Sequence, residues 1–515
     1  MSEVELKQVT FTYPGADTYQ PAFAEPALAT DAGGQERAER ETGGEEAPAI
    51  WNINLHLRPG TLTLLVGESG SGKSTILKAC NGLIPKFHEG TLTGTVSING
   101  RDIRDEPLHE AGRTSAMVFQ NPRTQFFTNY VDTELAFVLE NYGVDPEEIA
   151  RRVANAATEA GITHLLGRKL DTLSGGELQR VACACALVAG VELLLFDEPT
   201  SNLDNPAIEE FANLVRQLKA AGKTLLIAEH RLHLFAGLAD EVYRVSDGEI
   251  VEVFSAAQFF ALSQDERIRR GLRNLEKVTA DLPAPVPSNG SDLSVQDLVF
   301  SYREGRTVLD LPALQFPAGA VTAVTGANGA GKTTLARILC GLENPGKGTR
   351  ITLGGKNLSV RRRQQVSSMV MQDVRRQLFS ASALEEVTLG LGKDFSAKDA
   401  HRALAQLELE NYAQRHPLSL SGGQAQRLVV ATCLAAGSEV VIFDEPTSGV
   451  DWNHLCRIAA VLRELACRGH VVIVITHDHE LIAQAAHYVC DLAAVNQANT
   501  RKHPQNHTHL EGNAP

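Results

Sequence analysis

Short apolar runs, each closed by a polar or glycine-rich stretch, punctuate this chain. LTLLV at 62–66 runs into GESGSGKST and then ILKACNGL, which predicts a buried strand, a glycine-rich turn and a helix. VTAVT at 321–325, followed by GANGAGKTT, has the same grammar. LLLF at 193–196 and VVIF at 440–443 predict buried strands that both end on Asp-Glu. Further apolar strands precede His230 and His477, and VTFTY and LVFSY predict short strands ending at Tyr13 and Tyr302. Strand–turn–helix units of this kind belong to an α/β fold built on an open sheet.

The pattern occurs twice. GESGSGKST at 67–75 returns at 326–334, LSGGELQR at 173–180 as LSGGQAQR at 420–427, and LLLFDEPTSNLD at 193–204 as VVIFDEPTSGVD at 440–451. Asp197 to Asp444, His230 to His477 and Ser174 to Ser421 are each 247 apart (444 minus 197, 477 minus 230, 421 minus 174). Lys73 to Lys332 is 259 and Tyr13 to Tyr302 is 289 by the same subtraction. The later half of each repeat is thus constrained in length and the earlier half is not. The extra residues in the first copy fall at about 15–48, a stretch rich in Ala, Gly, Glu and Pro that predicts a disordered surface loop. The boundaries that follow are a first domain at 1–275, a Pro-rich linker at 276–291, a second domain at 292–495 and a disordered tail at 496–515.

At 515 residues, with 43% hydrophobic and 21% charged residues, the chain has the size and balance of a two-domain globular protein. A formal charge of -14 gives it no broad basic surface, which argues against nucleic acid as a partner. No run approaches the roughly 20 apolar residues that span a bilayer, and the start MSEVELKQVTF lacks the features of a secretory signal. The eight scattered cysteines read as reduced thiols. His503, His507 and His509 have no ligand scaffold around them and read as part of a polar tail.

Each repeat carries the chemistry of a nucleoside triphosphate site. Gly67, Gly70 and Gly72, with Gly326, Gly329 and Gly331, let backbone N–H groups curl around phosphate oxygens, and the helix that follows adds free donors. Lys73 and Lys332 are placed to reach the β- and γ-phosphates, and Ser74 and Thr333 to hold Mg2+, with Thr75 and Thr334 beside them. Asp197 and Asp444 suit the magnesium shell. Glu198 and Glu445 suit the role of general base toward the attacking water. The expected cofactors are therefore ATP and Mg2+.

With LSGGELQR and LSGGQAQR added, the chain resembles the ATP-binding-cassette (ABC) ATPases over nearly its whole length apart from the insertion, linker and tail. The resemblance implies two tandem P-loop cassettes, each a RecA-like mixed sheet core with an antiparallel β subdomain and an α-helical subdomain. It further implies that Ser174, Gly175 and Gly176 complete the site of Lys332, and that Ser421, Gly422 and Gly423 complete that of Lys73. Tyr13 and Tyr302 match the aromatic that stacks on adenine, and Gln120 and Gln372 the glutamine of the magnesium–water shell. His230 and His477 match the switch histidine, and Asp204 and Asp451 the loop that crosses the dimer interface. Neither repeat has lost a catalytic element, so two competent sites are expected from one chain, without a second ATPase chain.

Within the family, QNPRTQFF at 120–127, the stretch ELAFVLEN at 134–141 and AEHRL at 228–232 resemble the ATPases of energy-coupling-factor importers. The second copy keeps Gln372, Gln377, Phe379 and Glu386 in register but lacks the Asn-Pro. That resemblance implies integral membrane partners, a transmembrane coupling protein and a substrate-binding membrane protein, and a peripheral position on the cytoplasmic face of the cell membrane. Phe126, Phe127 and Phe379 are either anchors for the membrane subunit or part of the helical subdomain's own packing. The motor of another importer or exporter, and a ribosome- or DNA-acting cassette protein, are the alternatives. The transported substrate is not legible.

Overall fold

The computed structural model describes residues 2–14, 47–201, 203–279, 290–302, 305, 307–389, 391, 397–420 and 422–500. The predicted loop at 15–48 lies outside them apart from residues 47 and 48. The same holds for 280–289 of the linker, for 501–515 of the tail and for Ser421. The chain divides into two compact units, Met1–Val278 with Ser448–Leu455, and Thr279–Thr447 with Cys456–Pro515. Among the described residues no helix is long and apolar enough to cross a membrane.

In the first unit, β1 (Val4–Thr12), β2 (Ile50–Leu57), β4 (Thr91–Ile98) and β5 (Arg101–Asp102) form an antiparallel sheet in the order β2-β1-β4-β5. The alternation of buried Val4 and Leu6 shifts at Val9 and Phe11 because a bulge intervenes, with Gln8 at φ 50°. Gly94 faces that bulge, where a Cβ would lie 2.3 Å from the Gln8 carbonyl oxygen. Asp297, five residues before Tyr302 as Gln8 is before Tyr13, repeats the positive φ (51°), but its register against β12 runs unbroken around it.

The core sheet of the first unit runs β10-β9-β3-β8-β7-β6. Its members are β3 (Leu62–Val66), β6 (Ser115–Val118), β7 (Leu193–Asp197), β8 (Thr224–Ala228), β9 (Glu241–Ser246) and β10 (Glu249–Ser255). The first five are parallel, and β3, β7 and β8 are buried at every residue, as strands covered on both faces must be. Asp247 and Gly248, both at positive φ, turn β9 back into antiparallel β10. The helices Val131–Asn141, Pro146–Glu159 and Gly175–Ala189 pack around Leu135, Leu139, Ala157, Val181 and Val188 as a separate helical layer.

The second unit repeats the plan. An antiparallel sheet, β12-β11-β14-β15, is built from β11 (Leu293–Ser301), β12 (Thr307–Phe316), β14 (Arg350–Leu353) and β15 (Lys356–Asn357). The core sheet, β16-β17-β18-β13-β19, comprises β13 (Val321–Thr325), β16 (Ser367–Val370), β17 (Val440–Asp444), β18 (Val471–Ile475) and β19 (Tyr488–Asp491). Its described strands are all parallel, where a mixed sheet was expected. The reason is local. No Asp-Gly turn follows β19; Asp491 instead caps a helical turn by accepting the Ala493 N–H at 2.9 Å.

The predicted tail start at 496 also needs correction. Asn496 is buried; its side chain accepts the Asp310 N–H at 2.9 Å and donates to the carbonyls of Val308 (2.8 Å) and Ala330 (3.2 Å). A helical turn, Gln497–Thr500, follows, so the packed unit includes these residues. Asn496→Ala removes four hydrogen bonds, the fourth from the Ala498 N–H, and strands buried backbone groups, at a cost of about 2 kcal/mol. Chemical denaturation should show a correspondingly lower midpoint for this variant.

Candidate active sites

Both core sheets gather their predicted site residues at the carboxyl ends of the parallel strands, where an open α/β sheet places ligands. In the first unit β3 delivers Gly67 at φ 143°, a conformation closed to other residues. A Cβ there would stand 2.0 Å from the Val245 carbonyl oxygen. Gly70 and Gly72 are also at positive φ, and the helix Lys73–Asn81 begins on Gly72 with no side-chain cap. Its first N–H groups are therefore directed at the loop, the arrangement that binds anions. Gly326, Gly329 and Gly331 repeat the three conformations ahead of the helix Lys332–Leu339.

Lys73 is buried, and its ammonium donates to the carbonyls of Gly67 (3.0 Å) and Glu68 (2.7 Å). Burial lowers its pKa, against the pull of Glu198 and Asp197. Ser74 donates to Asp197 at 2.9 Å, and Thr333 donates to Asp444 at 3.0 Å. Burial, with the adjacent Glu198 charge, pushes Asp197 up to about 6, and burial raises Asp444 as well. A raised carboxylate beside a hydroxyl is an oxygen donor set that a hard cation would relieve, and it fits Mg2+ completed by phosphate oxygens. Among the described residues no group of three or more His, Cys, Asp or Glu could hold a metal alone, which leaves this hydroxyl–carboxylate pair as the candidate.

Glu198 and Glu445 share a left-handed backbone, φ 44° and 46°, unusual for a residue with a side chain. Glu198 Oε1 lies 3.2 Å from His230 Nε2, and Oε2 accepts from the Gln120 amide at 2.6 Å. Burial pushes Glu198 up, but His230 and Lys73 pull harder and hold it below the ordinary glutamate value. Two neighbouring carboxylates thus titrate in opposite directions, which suits one to the cation and the other to remain an ionised base. The second unit differs in detail. His477 Nε2 is 2.8 Å from the Lys332 ammonium and 3.6 Å from Glu445, and Lys332 also donates to Gly326 at 2.5 Å and Ala327 at 3.2 Å. Gln372 is exposed at its strand end.

The aromatic candidates sit beside the glycine loops. The hydroxyl of Tyr13 is 3.5 Å from Thr75 Oγ1, and that of Tyr302 is 3.2 Å from Thr334 Oγ1. Ser174 caps the helix Gly175–Ala189 in a reciprocal box with Glu177, and Gly176 lies in its first turn. Gly422 and Gly423 open the corresponding helix Gly422–Ala435. Asp204 caps the helix Asn205–Ala220 through the Ala207 N–H. Asp451, in the segment Ser448–Leu455 of the first unit, is buried; it accepts the Ser69 N–H at 2.9 Å and pairs with His454.

Three features carried no assigned role in the sequence. Gln125 and Gln377 each fold back to accept a backbone N–H, from Phe119 and Met371. Glu134 accepts the N–H groups of Phe127 and Thr128, and Glu386 those of Phe379 and Ser380. Their matched register was the available signal. Glu229, inside AEHRL, is the third: it is buried among backbone donors.

A family model described as "ABC transporter" matches residues 50–201 and 309–448. A Treponema denticola protein with the provisional name ABC transporter ATP-binding protein is 39% identical over 446 residues, covering 85% of this chain and 91% of that protein. A similarly named Methanosarcina acetivorans protein is 34% identical over 543 aligned positions, 95% of this chain and 84% of its own. Among solved structures, a chain from ribosome-bound archaeal Pelota and ABCE1 is 21% identical. It aligns with a TM-score of 0.59 over 85% of this chain and 73% of its own, a likeness of fold alone.

The raised Asp197 pKa has a consequence for stability. Its extra proton affinity in the folded chain stabilises fully below 3.8, and that contribution is lost as pH rises through about 6. Asp197→Asn keeps an oxygen for Ser74 and removes the buried charge. Without nucleotide or metal it should melt above the parent chain at pH 8, by up to about 3 kcal/mol, and the gap should close toward pH 4. Thermal melts at the two pH values read this directly.

Proposed function

The chain belongs to the ABC transporter family as an ATP-binding, ATP-hydrolysing subunit, and on that premise we propose that it drives an importer of the energy-coupling-factor type from the cytoplasmic face of the membrane. Two composite ATP sites would do the work, each pairing the glycine loop of one cassette with the LSGG segment of the other. Lys73 and Lys332 hold the β- and γ-phosphates and Tyr13 and Tyr302 stack on adenine. Ser74, Asp197 and Gln120, with Thr333, Asp444 and Gln372, would hold Mg2+, which when bound offsets phosphate charge. Glu198 and Glu445 accept the proton of the attacking water, a contribution of roughly 10²–10⁴ in rate. His230 and His477 contact the γ-phosphate. Binding of ATP draws the cassettes together, and loss of the γ-phosphate contacts lets them part.

One observation carries the membrane half of this reading. Phe127 and Phe379 are both 78% exposed, at the same position of the two repeats, on loops stapled by the same Gln and Glu pairs. Phe126 instead packs partly buried against the core and helical clusters. Large exposed aromatics held on a rigid loop mark a partner surface, and a coupling segment of the membrane subunit is the partner the family supplies. The energy-coupling-factor assignment rests on QNPRTQFF and AEHRL as they stand in the chain.

Two outcomes test this reading. Phe127→Glu and Phe379→Glu should leave MgATP binding intact while reducing co-purification with membrane subunits from solubilised membranes at least about tenfold. Retained assembly would remove the anchor role, and sedimentation with ribosomes instead of membranes would overturn the transport reading. Glu198→Gln and Glu445→Gln should each measurably lower MgATP turnover, and together by roughly 10²-fold or more. A chain in which one change is silent and the other abolishes turnover would have a single working site.

A further inference from the structure

Glu229 directly precedes the switch histidine of the first site and hydrogen-bonds the turn that follows the base. It follows β8 directly and is 3% exposed. Its Oε1 accepts the N–H of His230 at 2.7 Å and of Arg231 at 3.2 Å. Its Oε2 accepts the hydroxyl of Thr200 at 2.7 Å and the Thr200 N–H at 3.2 Å. Thr200 lies two residues after Glu198, whose left-handed backbone is held to β8 by the Glu198 N–H to Ala228 carbonyl bond, 2.9 Å. One buried carboxylate therefore ties the turn that carries the base to the turn that carries the histidine. Charge-assisted hydrogen bonds of this kind are the stronger ones.

The second repeat is built otherwise. Thr476 occupies the equivalent place, 247 residues on (476 minus 229), and its hydroxyl accepts the Asp478 N–H at 3.0 Å. The His477 N–H is directed at Glu445 itself, at 3.4 Å, and the His477 ring lies against Lys332. The base–histidine separations follow this difference, 3.2 Å in the first unit and 3.6 Å in the second.

We infer that Glu229 is a positioning residue that pre-sets the Glu198–His230 pair, so that the two sites of one chain hydrolyse ATP at different intrinsic rates. The inference rests on the reading of Glu198 and Glu445 as bases. It adds that the first site is organised before nucleotide arrives and that the second must rearrange its histidine. Placement errors of about 1 Å cost up to ~100-fold in rate, so replacing the clamp has a kinetic signature separate from binding.

The test compares Glu229→Thr, which copies the second repeat, with Glu229→Gln, which keeps an accepting oxygen, in the full-length chain with MgATP. Glu229→Thr should lower kcat severalfold with KM within about twofold, and Glu229→Gln should recover most of the loss. An unchanged kcat in Glu229→Thr overturns the inference, as does a fall matched by an equal rise in KM and not recovered by Gln. Should the threonine variant fail to fold, Glu229→Ala takes its place: a kcat reduced at constant KM supports the clamp, and parent-like kinetics overturn it. Glu198→Gln, measured alongside, separates the two levels. Its loss of turnover with Glu229→Thr unaffected defeats only the clamp, whereas parent-like turnover of Glu198→Gln defeats the base assignment and the clamp with it.

Discussion

The candidate site of the first unit is organised by one electrostatic constraint, a lysine ammonium and two consecutive carboxylates held out of water at the edge of a parallel sheet, and the second unit repeats the arrangement with its lysine buried and its carboxylates half-buried. An isolated buried charge of either sign would be prohibitively costly. The ammonium of Lys73 is accommodated by two carbonyl oxygens of its own loop and by the fields of Glu198 and Asp197. The carboxylates resolve their mutual repulsion by separating in character, Asp197 rising and Glu198 falling. Phosphates and a divalent cation are the ligands that such a site accepts most readily.

That constraint reaches into the backbone. The carboxylate after the strand Asp must turn sideways toward the histidine, and both Glu198 and Glu445 do so through a left-handed φ. The phosphate loop must pass close under β9, and Gly67 alone tolerates the approach to Val245. The strands that carry these residues are buried throughout, so the site rests on the most rigid part of each unit. The helical layer and its stapled loops add a surface rather than a site, with Phe127 and Phe379 left facing solvent.

Much of this was legible in the order of residues because the local rules act locally. Apolar runs ending in Gly or Asp-Glu specified β3, β7, β13 and β17, and the paired motifs marked Lys73, Asp197 and Glu198 with their counterparts. What stayed hidden depends on contacts distant in sequence. Asn496 reads as polar tail until Val308, Asp310 and Ala330 are seen to take its side chain. The all-parallel second sheet follows from one absent Asp-Gly turn. Whether Phe127 or Phe126 faces solvent is a matter of how Glu134 pins the loop, which no periodicity conveys. Glu229 entered only as a letter of AEHRL, and its tie to the turn after Glu198 appears only when Thr200 folds beside it.

The central claim is that both repeats carry a working nucleotide site built on the same lysine–carboxylate arrangement. The most direct test is equilibrium titration of the full chain with a non-hydrolysable MgATP analogue, counted per chain by calorimetry. The account predicts saturation at two molecules per chain, falling to one when Lys73 or Lys332 alone is replaced by Ala. Saturation at one in the parent chain, or a stoichiometry that either lysine substitution leaves unchanged, would contradict it.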